Sequence, residues 1–173
     1  AAALAGTGVS SAMVDTADLR RAINAEFDGR SFAVSLSNKR LLDGVGIWRG
    51  LAAQTAPILD IRIADGQSPL FLHYDHHDVG NEPLGYIVEN LVTRSALYRA
   101  IEKSDLVKMI APAKVETIAR DQGGMTITLA DGQSIRAPLA IGAEGRKSML
   151  REWAGIKTYN WSYKQSAVVC TVK

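Results

Sequence analysis

The chain has 173 residues, 47% of them hydrophobic and 22% charged, a composition that supports one folded domain with a hydrophobic core. Lysine and arginine number 20 against 18 acidic residues, so the net charge is only +2, which argues against a nucleic-acid binder. The single cysteine, Cys170, excludes an internal disulfide and favours a reducing, cytoplasmic compartment. No apolar run approaches the roughly 18 residues of a membrane-spanning helix.

The first elements are a helix, a strand and a second helix. Residues 1–6 are alanine-rich, end in glycine and have no capping residue before them, which predicts the last turns of a helix. Residues 9–14 predict a strand that ends at Asp15, the second half of a βαβ unit. A turn at residues 28–31 precedes a helical stretch that ends before Gly44.

The rest of the chain predicts short strands joined by glycine turns. Residues 58–64 alternate in polarity and turn at residues 65–66 into strand 70–74. Asn90 predicts a cap for a helix over 91–103. This order of elements indicates an α/β fold, a nucleotide-binding sheet with an added β-layer. Further strands are predicted at 86–88, 106–110, 114–119, 125–129 and 139–141, the last of them buried.

Three positions have the chemistry of a nucleotide site. Asp15 ends a strand, where an acid in a dinucleotide fold accepts hydrogen bonds from ribose hydroxyls. Arg30 offers a planar fork of donors suited to a pyrophosphate. Glycines on both sides of Glu144 let the backbone approach a ligand while the carboxylate contacts hydroxyls. The alternatives are a strand-end aspartate in a turn, a solvated arginine and an ordinary strand-to-helix turn.

A cluster of histidines and aspartates is the other candidate for chemistry. Imidazole and carboxylate groups can hold a divalent metal. The cluster follows a predicted strand, in which alternate residues point to opposite faces, so we expect few ligands to converge. The sequence therefore predicts a solvated polar turn and no metal site. The cluster consists of His73, Asp75, His76, His77 and Asp78.

Several segments, in a shared order, resemble a known family. Residues 28–35 are similar to its Asp-x-Arg segment, and residues 141–151 to its Gly-Ala-Asp-Gly-x-x-Ser-x-x-Arg motif. Residues 86–90 and the following helix resemble the stretch that approaches the flavin. The family is the aromatic-ring flavin monooxygenases, and the tail at 153–165 is most similar to its ubiquinone-biosynthesis hydroxylases, of the 2-polyprenyl-6-methoxyphenol hydroxylase type.

The resemblance implies a partial FAD-binding, Rossmann-like domain of the para-hydroxybenzoate hydroxylase type, with antiparallel β-hairpin insertions. The glycine-rich phosphate loop would precede Ala1, and a later Gly-Asp segment would follow Lys173. We therefore expect a fragment truncated at both ends and inactive by itself. The implied parts are an FAD-binding subdomain at 1–57, a substrate-side hairpin at 58–84, the remainder of the FAD-binding domain at 85–155 and the start of the substrate-domain sheet at 156–173.

The resemblance also implies FAD, with NAD(P)H and O₂ as co-substrates, in the hydroxylation of a polyprenylated phenol. Carried over by position, Asp15 binds the adenosine ribose, and Arg30 and Ser31 lie at the pyrophosphate. Arg94 occupies a flavin-contact position where relatives often carry glutamine, and Glu144 replaces the usual aspartate. No catalytic residue is assigned.

Three expectations concern partners and alternatives. The prenyl tail of the implied substrate predicts loose attachment to the inner membrane face. Sheet edges left open by truncation predict self-association. The alternative functions are a folded scaffold without flavin, and a flavoprotein of the same fold with reductase or halogenase chemistry.

Overall fold

The computed structural model of the chain describes residues 1–24, 29–66 and 68–166. Its contacts divide the chain into unit 1, Ala1–Ser11 with Leu19–Met109, and unit 2, Ala12–Asp18 with Ile110–Lys173. None of the described helices is long and apolar enough to cross a membrane. The helices are α1 (Ala2–Gly6), α2 (Leu19–Ile23), α3 (Leu36–Gly44), α4 (Asn90–Glu102) and α5 (Met149–Trp153). The strands are β1 (Ser11–Val14), β2 (Ser31–Ser35), β3 (Thr55–Ile58), β4 (Asp60–Ala64), β5 (Phe71–Asp75), β6 (Gly85–Glu89), β7 (Val107–Ile110), β8 (Val115–Asp121), β9 (Gly124–Leu129) and β10 (Ser134–Ala137).

Unit 1 contains a three-stranded antiparallel sheet in the order β2-β6-β3. Ser31 lies opposite Glu89, and Ser35 lies opposite Gly85. A side chain at Gly85 would collide with the backbone carbonyl oxygen of Val34. Glycine therefore permits the close approach of β2 and β6 at this end of the sheet.

The core of unit 1 is built around Trp48, which packs edge-on against Tyr86 with ring centroids 4.9 Å apart. Apolar side chains of α4, including Val92 and Ala96, pack against the same cluster. β6, the central strand of the sheet, contributes Val88 to this core and leads directly into α4. The fully or almost fully buried members of the cluster are Ile47, Trp48, Leu51 and Val88.

A separate hairpin in unit 1 pairs β4 with β5 antiparallel, with Asp60 opposite Asp75 and Ala64 opposite Phe71. The predicted turn at residues 65–66 is confirmed. Many of the hairpin's apolar side chains are exposed to solvent, so this element contributes little to the core of unit 1. They are Ile61, Ile63, Leu70, Phe71, Leu72 and Tyr74.

Unit 2 contains an antiparallel meander in the order β10-β9-β8. Met125 and Leu129 of the central strand are buried and anchor it. Gly124 adopts a positive φ of 126°, which suits the tight turn between β8 and β9. The predicted strands 114–119 and 125–129 are confirmed, whereas β10 was not predicted.

β1 pairs with β7 in a two-stranded sheet. The backbone N–H of Ser11 donates to the Leu106 carbonyl oxygen at 2.8 Å, and that of Asp15 donates to Ile110 at 3.3 Å. The first bond lies within unit 1 and the second within unit 2. The pairing fixes Asp15 at the end of β1, as the sequence predicted.

The predicted buried strand at 139–141 is wrong. These residues form no strand, and the side chains of Leu139 and Ile141 are 70% and 64% exposed. A strand needs a neighbour for its N–H and C=O groups, and no strand among the described residues pairs with this segment. Apolar composition alone therefore predicted a strand that has no partner.

The predicted cap of α4 is also wrong. Asn90 is the first helical residue, and Glu89 occupies the capping position without a side-chain cap bond. The backbone N–H of Asn90 donates instead to the Arg30 carbonyl oxygen at 2.9 Å. The first residue of α4 is therefore bonded to the residue just before β2, the strand that pairs with β6.

One further segment differs from its prediction, and two parts of the chain cannot be compared with theirs. The single strand predicted at 58–64 is divided at Leu59 into β3 and β4, which belong to different sheets. Asp28 of the family-like segment and residues 167–173 lie outside the described residues.

Candidate functional site

The first candidate residues, Arg30 and Ser31, lie where β2 begins. Gly29 adopts a φ of +71° just before them, and Ser31 starts the ladder opposite Glu89. The Arg30 carbonyl accepts the hydrogen bond from Asn90 at the start of α4, described above. The backbone therefore holds this pair beside the junction between β6 and α4.

Arg94 belongs to the same junction. It lies four residues after Asn90, on the same face of α4, and its side chain is half-buried. The Thr93 hydroxyl donates to the Glu89 carbonyl at 3.1 Å, which closes the first turn of the helix. Unit 1 thus brings the backbones of Arg30, Ser31 and Arg94 to one end of its sheet.

The charges at this junction are mixed. Arg30 and Arg94 are basic residues of this junction, and Glu89, which is exposed and makes no side-chain capping hydrogen bond, is an acidic one. Guanidinium groups donate in a planar fork that matches phosphate oxygens, whereas a hydroxyl such as that of Ser31 can donate or accept. The junction therefore offers donors for an anionic group.

A groove of about 540 Å³ also lies in unit 1 and runs along α4 from Leu91 to Lys103. Gly46, Gly50, Ser95 and Arg99 are among its lining residues. Arg30, Ser31 and Arg94 do not line it, so the groove and the predicted cofactor-binding residues are distinct features of unit 1.

Asp15 belongs to unit 2 and closes a small turn. Its Oδ1 accepts a hydrogen bond from the Ala17 N–H at 2.8 Å, and its carbonyl oxygen accepts one from Ala113 at 2.7 Å. The side chain is half-buried. The carboxylate thus stabilises the turn after β1 while retaining further acceptor positions, which are compatible with ribose hydroxyls.

Glu144, also in unit 2, folds back toward the helix that follows it. Its Oε2 accepts a hydrogen bond from the Ser148 hydroxyl at 2.6 Å, and its Oε1 accepts one from the Leu150 N–H at 3.1 Å. The bond from Ser148 is the main reason why the pKa of Glu144 is lowered from its ordinary value. The carboxylate is therefore already a structural acceptor at the start of α5.

Ser148 is a residue of this loop whose contacts were not predicted. It is buried, it donates to Glu144, and its oxygen accepts from the Arg151 N–H at 3.2 Å. A serine just before a short helix is a signal for a capping residue, so its role at α5 was readable from the sequence. The link back to Glu144 was not, because it depends on the path of the loop.

The family model described as an FAD binding domain matches residues 1–171. The chain belongs to the FAD-binding domain family. This FAD-binding domain is 43% identical over all 173 residues to the ubiquinone hydroxylase UbiL of Rhodospirillum rubrum, and it covers 40% of that protein. It is 31% identical over 147 residues to the 3-demethoxyubiquinol 3-hydroxylase of Escherichia coli, with 84% of the chain and 37% of that protein covered. The chain thus spans about 40% of the length of these relatives.

Solved structures show the same fold. PqsL, a probable FAD-dependent monooxygenase from Pseudomonas aeruginosa, aligns over 94% of the FAD-binding domain and 43% of its own chain, with 19% identity and a TM-score of 0.69. The monooxygenase PieE, solved with FAD and substrate, aligns over 89% and 29% of the two chains, with 15% identity and a TM-score of 0.68. The predicted family and the predicted fold, of the para-hydroxybenzoate hydroxylase type, are confirmed.

Proposed function

We propose that the protein is an FAD-dependent aromatic hydroxylase that adds one oxygen atom to the ring of a polyprenylated phenol in ubiquinone biosynthesis. The observation that carries this proposal is the 43% identity, over the whole chain, to a protein named ubiquinone hydroxylase. The chain spans only part of that relative, so the proposal concerns the activity of the whole protein.

Each assigned residue has the chemistry of one part of FAD. Arg30 and Ser31 offer charged and neutral donors to the diphosphate, and the half-buried Arg94 is assigned to the flavin ring. Asp15 offers a carboxylate to ribose hydroxyls. When bound, FAD supplies the redox chemistry, in which O₂ provides the transferred oxygen and NAD(P)H the electrons.

Glu144 is assigned to a hydroxyl-bearing ligand, the ribose or the nicotinamide co-substrate. Its two oxygens already accept hydrogen bonds from Ser148 and Leu150. A carboxylate has about four acceptor positions, so the same group can accept from the loop and from a ligand. The internal bonds would then orient the carboxylate before the ligand arrives.

Replacement of Arg30 tests the assignment of the cofactor site. Arg30→Met keeps most of the aliphatic length but removes the guanidinium donors. Loss of a charge-assisted hydrogen bond should weaken FAD binding by about tenfold or more. The measurement is a flavin-fluorescence titration of the purified protein. Arg120→Met on β8 is the matched control, since it removes an exposed arginine outside the assigned set. Equal FAD affinities in both variants would contradict the assignment.

The reaction itself is tested by isotope incorporation. The purified, FAD-loaded protein is supplied with NADH or NADPH, ¹⁸O₂ and a polyprenylated phenol, and the product is identified by mass spectrometry. A hydroxylase incorporates one labelled oxygen atom into the ring. Oxidation of NAD(P)H without labelled product points to a reductase, and a protein that binds no FAD points to the scaffold alternative. Either result refutes the hydroxylase proposal.

We infer that the protein binds the membrane surface, because a polyprenyl tail keeps its substrate in the bilayer. The exposed apolar side chains of the β4–β5 hairpin support this inference, and Leu70 and Leu72 are two of them. Flotation with vesicles of phosphatidylethanolamine and phosphatidylglycerol should carry the wild-type protein upward and leave a Leu70→Ser/Leu72→Ser variant behind. The inference fails if both proteins stay in the dense fraction.

We also infer self-association through open sheet edges. β2 and β3 are the outer strands of their sheet, and Ala33 on β2 is exposed. Ala33→Lys places a charge on that edge and should lower the association measured by sedimentation equilibrium. Ala130→Lys, in an exposed turn, is the control. A wild-type protein that is monomeric at high concentration refutes the inference.

A further inference from the structure

The end of β5 brings together side chains that the strand pattern was expected to separate. The strand ends at Asp75, and a turn of 3₁₀-helix follows over His76–Asp78. Asp75 Oδ1 accepts a hydrogen bond from the His77 N–H at 2.8 Å, which folds the chain back over the carboxylate. The alternation of faces therefore stops at Asp75, and the expectation that the ligands diverge is wrong for the next two residues.

The three side chains Asp75, His76 and His77 form a compact group of metal-ligand types. Asp75 Oδ1 lies 2.9 Å from His77 Nδ1 and 3.2 Å from His76 Nδ1. One potential ligand atom from each residue lies within 4.8 Å of the others. Zinc bonds to nitrogen and oxygen measure about 2.0–2.2 Å, which places ligand atoms roughly 3.4 Å apart around a tetrahedral ion. The three ligand types are thus close enough together to approach one ion.

Contacts with Leu59 hold the Asp75, His76 and His77 group at the surface, where its side chains are exposed to different extents. The His76 N–H and its ring Nδ1 lie 3.0 and 3.1 Å from the Leu59 carbonyl oxygen, which tethers this imidazole to the chain before β4. The His76 side chain is 14% exposed, whereas that of His77 is 69% exposed. In metal sites a backbone carbonyl of this kind holds the histidine nitrogen that does not bind the ion, so His76 would offer Nε2 as its ligand atom. An ion bound here would keep one side open to water.

We propose that Asp75, His76 and His77 bind a divalent transition-metal ion of the zinc type. Two imidazoles and one carboxylate are a sufficient protein ligand set for such an ion, with water in the remaining position. The ion would join the end of β5 to the turn that follows and would stabilise the β4–β5 hairpin. The proposal does not depend on the hydroxylase activity, because none of the three residues is assigned to FAD.

His73 provides a matched control on the same hairpin. Its Nε2 lies 2.6 Å from Asp60 Oδ1, across the strand pair, and it is outside the group of three. Removing His73 therefore takes away an imidazole with a carboxylate partner but leaves the proposed ligands intact. His77→Asn removes a ligand at an exposed position, where the cost in folding is small. Asp75→Asn removes the charge and keeps an oxygen for the His77 N–H.

The test is a calorimetric titration of the purified, untagged and chelator-treated protein with zinc sulfate. We expect His77→Asn and Asp75→Asn each to weaken zinc binding by at least about tenfold, since loss of even an outer hydrogen-bond partner costs that much at many metal sites. His73→Asn should bind as the wild type does. Circular dichroism verifies that each variant is folded.

Nuclear magnetic resonance gives a second, residue-specific result. Zinc should shift the imidazole resonances of His76 and His77 and leave those of His73 unchanged. Equal zinc affinities in the wild type and in His77→Asn would overturn the proposal. So would an equal loss in His73→Asn, or a wild-type dissociation constant weaker than about 1 mM.

Discussion

At the scale of the residue, the extra methylene of Glu144 has a structural use. The resembled motif carries aspartate at this position, and the longer side chain here spans from the loop to the start of α5. It accepts from Ser148 and from Leu150, six residues further along the chain. The carboxylate thus performs the task of a helix cap while standing in a motif expected to bind a ligand. Substitution of Ser148, which donates to this carboxylate, tests the capping of α5 separately from ligand binding.

Ser148→Ala should lower the free energy of unfolding by about 1–2 kcal/mol. The substitution removes a buried hydroxyl, leaving Glu144 without one donor and the Arg151 N–H without its acceptor. Urea denaturation measures the change. Ser10→Ala, at an exposed position before β1, is the control and should change the unfolding free energy little. Equal unfolding curves for both variants would refute the capping role.

The lowered pKa of Glu144 predicts a dependence of stability on pH. The hydrogen bond from Ser148 favours the ionised carboxylate in the folded chain. Its contribution is therefore present above the ordinary glutamate pKa of about 4.3 and is lost as the pH falls through the lowered value. Between about pH 5 and pH 3, the wild type should lose more stability than Glu144→Gln. Chemical denaturation across this range measures the difference, and parallel curves would contradict it.

At the scale of the element, a hydrogen-bond chain joins two helices of unit 1. The buried Tyr98 on α4 accepts from Arg20 Nε on α2 at 3.0 Å and donates to Glu102 Oε1 at 3.1 Å. Arg20 Nη2 and Glu102 Oε1 are 3.8 Å apart, and an exposed ion pair at this distance contributes little to the free energy of unfolding. The tyrosine hydroxyl therefore links α2 to α4 through the hydrogen bond that it accepts from Arg20.

Tyr98→Phe should cost about 1 kcal/mol of unfolding free energy, because it removes the hydroxyl and keeps the buried ring. Thermal or urea denaturation measures the loss. Tyr163→Phe is the matched control, since its ring and hydroxyl lie in an exposed segment. If Tyr98→Phe lowered the free energy of unfolding no more than Tyr163→Phe does, the hydrogen bonds of the Tyr98 hydroxyl would not contribute to stability.

The elements that the sequence predicted correctly depend on local signals. Ser35 caps α3 through the Asn38 N–H, and glycine turns set both hairpins. The errors depend on distant partners. β2, which the sequence analysis did not predict, pairs with β6, whereas the more apolar segment 139–141 has no partner among the described residues. Composition reports burial and propensity, but pairing decides which segment becomes a strand.

At the scale of the whole molecule, motif order revealed the family more reliably than any single residue did. The match to the FAD binding domain extends over residues 1–171, in agreement with the resemblance. The backbone positions of Arg30 and Arg94 near one junction follow from the order of β2, β6 and α4. The hydrogen bonds from Ser148 and Leu150 to Glu144 could not be predicted from the sequence, because a loop has no periodic sequence pattern. The binding roles of these residues stay predictions.

The core around Trp48 also gives the protein a built-in optical reporter. Trp48 is buried in unit 1, whereas Trp153 and Trp161 of unit 2 are 43% and 69% exposed. Acrylamide should therefore quench two of the three indole emissions readily and leave a protected, blue-shifted component. In a Trp153→Phe/Trp161→Phe variant only that component would remain. A shift of the Trp48 emission to longer wavelength would then report the unfolding of unit 1 alone, without any added label.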